Sequence, residues 1–132
     1  MKFTPQLAQF FYDMKISVAI STYQAGKVVF ISAKTPDRLV QIPRNFDTPM
    51  GMALDGKRFA VSTIDEVIRF TNEPQASSGY KRKNNQTSDE EYDAFFVPTT
   101  THHTGKVHIH DIAFGKAGIY AIRNLHKIIL PT

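Results

Sequence analysis

The sequence predicts an all-β fold behind one short N-terminal helix. Short runs rich in Val, Ile and Phe recur along the chain, separated by turn residues, and no long helical period follows the first fifteen residues. Ten Phe and five Tyr without Trp suit a pleated, half-buried surface. A third observation narrows the class. Segments resemble one another about 41 residues apart, an interval that points to part of a β-propeller, two to three blades of antiparallel strands.

The elements follow in order. Leu7, Phe10, Phe11 and Met14 fall at i, i+3, i+4 and i+7, which predicts an amphipathic helix over 6–15, and Pro5 suits its first turn. Strands are expected at Ile16–Thr22 and Lys27–Ala33, joined by Tyr23-Gln24-Ala25-Gly26, and a short one at Arg38–Ile42. Pro43 and Pro49 bracket a predicted loop that carries Arg44, Asn45, Phe46 and Asp47. Met50–Leu54 and Arg58–Thr63 flank Asp55-Gly56-Lys57, a strong hairpin signal. Glu66–Thr71 follows. Residues 73–91 are almost free of apolar side chains and predict an exposed polar loop. Strands resume at Tyr92–Val97, Val107–Phe114 and Ile119–Ile122, with a turn at Lys116-Ala117-Gly118.

The recurrence is concrete. Val18-Ala19-Ile20-Ser21-Thr22 lies on Phe59-Ala60-Val61-Ser62-Thr63 at an offset of 41, with Val28–Phe30 on Ile68–Phe70 after a one-residue gap. Gly51–Phe70 lies on Asp111–Leu130 at an offset of 60. The two offsets differ by 19 residues, the length of the polar segment 73–91. One blade cannot cover both of its faces, so neighbours must stack. The whole chain, 1–132, is expected to form a single partial propeller domain with 73–91 as an insertion.

Composition bounds the function. The net charge of +4 is mild, and Lys81-Arg82-Lys83 is followed by Asp89-Glu90-Glu91, a mixed run that predicts a solvated loop and no specific nucleic-acid partner. No apolar run is long enough to span a membrane, and the N-terminus lacks a secretory pattern, so a cytoplasmic protein is expected. The absence of Cys removes disulfides, thiolate metal sites and a Cys nucleophile. Exposed blade edges predict self-association. Further partners are left open.

Three segments stand out: Ser21-Thr22-Tyr23-Gln24-Ala25-Gly26-Lys27, Phe46-Asp47-Thr48-Pro49-Met50-Gly51-Met52-Ala53 and Thr104-Gly105-Lys106-Val107-His108-Ile109-His110-Asp111-Ile112-Ala113. Together they resemble an uncharacterised bacterial family, a conserved hypothetical domain of unknown function whose members look like β-propellers and are longer than this chain. The resemblance covers residues 10–122 and implies that the chain is the N-terminal portion of such a protein, truncated. Arg123–Thr132 departs from the family's pattern, which puts the match of Ile128 and Leu130 to the repeat in doubt. The resemblance brings no activity with it.

A few residues have the chemistry of a site. His108 and His110 are expected on one face of a strand, where a His-x-His pair can offer two imidazoles to a divalent metal, with His103 or His102 from the preceding loop as a third. Asp111 opens a predicted inner strand as an acid, ligand or polar cap. Tyr23 and Lys27 sit at a turn whose Gly-Lys is not a P-loop, because Val28 follows. Arg44 is placed to clamp an anion from a loop. The ordinary alternatives are backbone hydrogen bonding between strands or at blade ends for the His and Asp side chains, a plain surface position for Lys27 and a surface ion pair for Arg44. Three readings follow: a non-enzymatic binding or interaction module without a cofactor, which is favoured; a metal-assisted enzyme using His108, His110 and Asp111; and a truncated product without independent function.

Overall fold

A computed structural model describes residues 2–74, 94–124 and 126–131. These form one helix and three small antiparallel sheets, with no closed barrel among the described residues, an arrangement in keeping with a partial propeller. They divide into two compact units, Met1–Met50 and Gly51–Thr132.

The first unit opens with α1 (Pro5–Met14). Pro5 occupies the first turn, where a missing N–H costs nothing. Lys15 ends the helix in the left-handed region, φ 52°, and the Ile16 N–H donates to Phe11 O at 3.2 Å. The face that is buried carries Ala8, while Leu7, Phe10 and Met14 of the predicted apolar stripe remain exposed. Behind it lie β1 (Ser17–Thr22), β2 (Lys27–Thr35) and β3 (Arg38–Asn45), paired in that order. Val28 and Leu39 are the buried side chains of this sheet.

The second unit holds a four-stranded meander, β4 (Met52–Asp55), β5 (Arg58–Ser62), β6 (Glu66–Asn72) and β7 (Phe96–His103). A three-stranded sheet follows, β8 (Asp111–Gly115), β9 (Gly118–Arg123) and β10 (His126–Leu130). The core lies between these sheets: Ala60 and Val67 from the first meet Ile109, Ile112, Ile119 and Ala121. Phe59 adds an aromatic row, its ring 6.0 Å from Phe70 and 5.4 Å from Phe96. Arg58 pairs with Asp55 across the hairpin and lies 4.7 Å over the Phe114 ring. The Tyr120 ring lies so closely over Gly115 that any Cβ there would collide with it, and Lys127 sits 4.7 Å over the same ring.

Four boundaries differ from the sequence reading. β3 runs through Pro43 to Asn45, because it is a sheet edge where a residue without an N–H is tolerated. For the same reason β7 continues past Pro98 to His103, so His102 and His103 end a strand rather than sit on a loop. A bulge accommodates the proline: Phe70 pairs with Pro98, Arg69 with Thr100, and the intervening Thr99 hydroxyl donates to Arg69 O at 3.2 Å. Val107–His110 is not strand. His108 has φ 51°, which breaks the extended path; Ile109 is buried in the core and Val107 packs against it. Finally, Arg123–Thr132 contains β10, so Ile128 and Leu130 are strand residues packed against the core. Tyr92 and most of the polar segment 73–91 lie outside the described residues.

The pairing registers bear on the internal offsets. Met52 pairs with Val61, and sixty residues later Ile112 pairs with Ala121. Val61 pairs with Ile68, as Ala121 does with Ile128. Every pair of β8–β9–β10 has its counterpart in β4–β5–β6 in this way, apart from strand ends. The shorter offset needs a correction. Thr22 pairs with Lys27 across four loop residues, whereas Thr63 bonds Glu66 across two. The two-residue difference puts Val28, not its neighbour, in the place of Val67, and both are fully buried.

Candidate functional site

The three segments singled out in the sequence all fall at strand ends. In the first unit, the β1–β2 turn and the exit of β3 are tied together. Thr22 Oγ1 donates to Lys27 O at 2.9 Å and accepts from Lys27 N at 3.2 Å. Gly26 takes φ 63°, its carbonyl accepting from Phe46 N at 2.9 Å, and a Cβ there would stand 3.0 Å from Phe46 O. Lys27 Nζ donates to Asn45 Oδ1 at 2.7 Å, Arg44 Nη1 to the carbonyl of Pro43 at 2.9 Å, and Ser21 Oγ to Met50 O at 2.8 Å. Tyr23 stands exposed at the tip of the turn.

The second unit repeats the Thr device. Glu66 N donates to Thr63 Oγ1 at 3.2 Å, and Thr104 N to Asp65 O at 2.9 Å. His103 Nδ1 lies 3.2 Å from Glu66 Oε1, with the ring 79% exposed. The buried Ser62 hydroxyl accepts from Gly51 N at 2.9 Å, and Ser62 N donates to Gly51 O at 2.9 Å. At Gly51 the chain passes so close to the start of β8 that a Cβ would stand 2.9 Å from Asp111 Cα and 3.0 Å from Ile112 N. Asp111 Oδ1 accepts from Ile112 N at 2.9 Å, the polar-cap geometry. His110 N donates to Ile122 O at 2.8 Å, and its ring Nε2 lies 3.1 Å from Asn124 Oδ1. His102 Nε2 is buried without a partner among the described residues.

The candidate residues are therefore distributed. Tyr23, Lys27 and Arg44 belong to the first unit, and His103, His108, His110 and Asp111 to the second. His108 and His110 flank the core anchor Ile109 on a bent linker, not a strand face. Among the described residues no three His, Asp or Glu side chains gather as a metal-binding group. In each unit the groups offered are hydrogen-bonding and cationic, held on turns and linkers that are themselves tied by hydrogen bonds. The residue sequence reasoning passed over is Ser62. The identity of Ser21-Thr22 and Ser62-Thr63 served only to align the repeat, yet these hydroxyls hold the turn and the linker.

The model of a domain of unknown function, DUF4915, matches residues 5–130. The chain belongs to this family. In this DUF4915 chain the match runs beyond Ile122 across Arg123–Leu130, the stretch the sequence reading set apart, and β10 lies within it. No curated protein and no solved structure matches it.

Proposed function

We propose that this DUF4915 chain is a non-enzymatic binding module, part of a β-propeller, that presents contact groups from the loops at the strand ends of each unit. The observation that carries the reading is the shared register of β4–β5–β6 and β8–β9–β10 sixty residues apart, which returns equivalent loops to the same strand ends. A scaffold of repeated sheets that presents turns at one end suits recognition. Lys27, Arg44, Asp111 and His110 have hydrogen-bond partners within their own units, and exposed Tyr23 and His108 are left as contact groups. The same reading sets the protein in the cytoplasm. Among the described residues no helix is long and apolar enough to cross a membrane, and cell fractionation tests the setting.

The alternative is a metal-assisted enzyme, and metal analysis of the purified chain separates the two. A folded protein without stoichiometric zinc, iron or manganese is the expected result, with no change in the variant carrying His108→Ala and His110→Ala. Stoichiometric metal that this double variant loses would overturn the binding-module reading.

A further inference from the structure

The inward face of β7 is polar. Thr100 and His102 are half-buried, while Thr99, Thr101 and His103 around them are exposed. Across the ladder Thr100 faces Arg69 and His102 faces Val67. This is the core side of the sheet, because Val67 lies in the core with Ala60, the partner of Arg69 on β5. The half-buried Arg69 guanidinium donates to Thr100 Oγ1 at 3.0 Å and has no carboxylate partner among the described residues. His102 Nε2, one alternate position further along the strand, is buried and without a hydrogen-bond partner among them. Arg69 and His102 are diagonal neighbours on one face, a separation of about 7–8 Å that a long side chain spans. A guanidinium charge and a buried ring nitrogen brought together in this way both require a partner.

We propose that Arg69, Thr100 and His102 hold the carboxylate of a small organic acid with a compact apolar body. The guanidinium offers a planar fork that matches a carboxylate, and Thr100 fixes its approach. The His102 ring, in the tautomer with its proton on Nε2, donates one further bond. Charge selects the class of ligand. One guanidinium balances one negative charge, whereas a phosphate dianion leaves a second charge half out of water. The surroundings select the body, since Val67 and Ala60 beside the cluster are apolar and Val107 packs on the same core. Glu66 does not compete for Arg69: it neighbours Val67 on β6, so its side chain is on the opposite face, where it meets His103. The site is separate from the contact groups Tyr23 and His108, and it stands on the register of β5, β6 and β7 alone.

The probe is propionate, titrated against the full nitrogen-15-labelled chain and followed by amide and imidazole resonances, with propionamide and inorganic phosphate in parallel. Saturable shifts are expected at the His102 ring and along β6 and β7, with half-saturation at about 1 mM or below. Arg69→Gln and His102→Leu each weaken binding by about tenfold or more, while His102→Gln, whose amide restores a donor, stays within about threefold of the unaltered chain. Lys106→Gln, an exposed cation outside the cluster, leaves binding unchanged. The lack of saturation by about 20 mM overturns the proposal, whether a water or a carboxylate of the chain itself then serves Arg69. Propionamide binding as well as propionate, phosphate binding more tightly, or shifts elsewhere than this cluster also overturn it, and none of these depends on whether a variant folds. Stoichiometric metal would overturn the functional reading above and leave these outcomes untouched.

Discussion

At Gly51 one hydrogen atom in place of a methyl group decides whether two strands can lie side by side. Three groups crowd the missing Cβ: Asp111 Cα, Ile112 N and the Ser62 hydroxyl, at 2.9, 3.0 and 3.0 Å. Two of these are backbone and cannot turn away. Gly51→Ala therefore costs about 1–3 kcal/mol by overpacking. Ser62→Ala costs about 1–3 kcal/mol because it strips a buried partner from Gly51 N. The double variant costs less than the sum by about 0.5 kcal/mol or more, since removing the hydroxyl also removes one of the three collisions. Urea unfolding of the four proteins checks this, and additive midpoint shifts would show that the contacts are independent.

On β9, burial alternates: Ile119 and Ala121 are buried, and Ile122 is exposed. Ile119→Ala is expected to cost about 2–5 kcal/mol by opening a cavity. Ile122→Ala stays within about 0.5 kcal/mol. Thermal denaturation distinguishes them, and equal losses would mean that β9 is covered on both faces. Strands of this kind were legible in advance because their apolar residues and flanking Gly turns agree, as at Asp55–Arg58 and Gly115–Gly118. The misread elements share one cause: local pattern was overruled by position in the sheet. Proline ends a strand only where the ladder needs a backbone N–H, and neither Pro43 nor Pro98, both on edge strands, sits at such a place. Val107-His108-Ile109-His110 alternates like a strand, but His108 takes a positive φ beside the buried Ile109, which no pattern displays. The candidate site suffered likewise. The motif residues were visible, whereas their distribution over turn, strand end and linker depended on long-range pairing.

The two units differ in how much they bury. In Met1–Met50 the buried apolar side chains are Ala8, Val28, Leu39 and Pro49. Gly51–Thr132 has a connected core of six buried residues with Phe114, Ile128 and Leu130 packed on it. Amides of β5 and β9 are therefore expected to exchange more slowly than those of β1 and β2, because local opening exposes more apolar surface in the second unit. Hydrogen exchange with mass spectrometry reads both in one experiment, and uniform protection would show that the chain opens as a single cooperative body. Tyr120 supplies a complementary optical signal. The sequence has no tryptophan to mask phenol absorption, and this ring packs against the backbone at Gly115 with the Lys127 ammonium over it. The part of the near-ultraviolet ellipticity that Tyr120→Phe removes from the sum over five tyrosines is thus an intrinsic reporter on the melting of the last sheet, read without any dye.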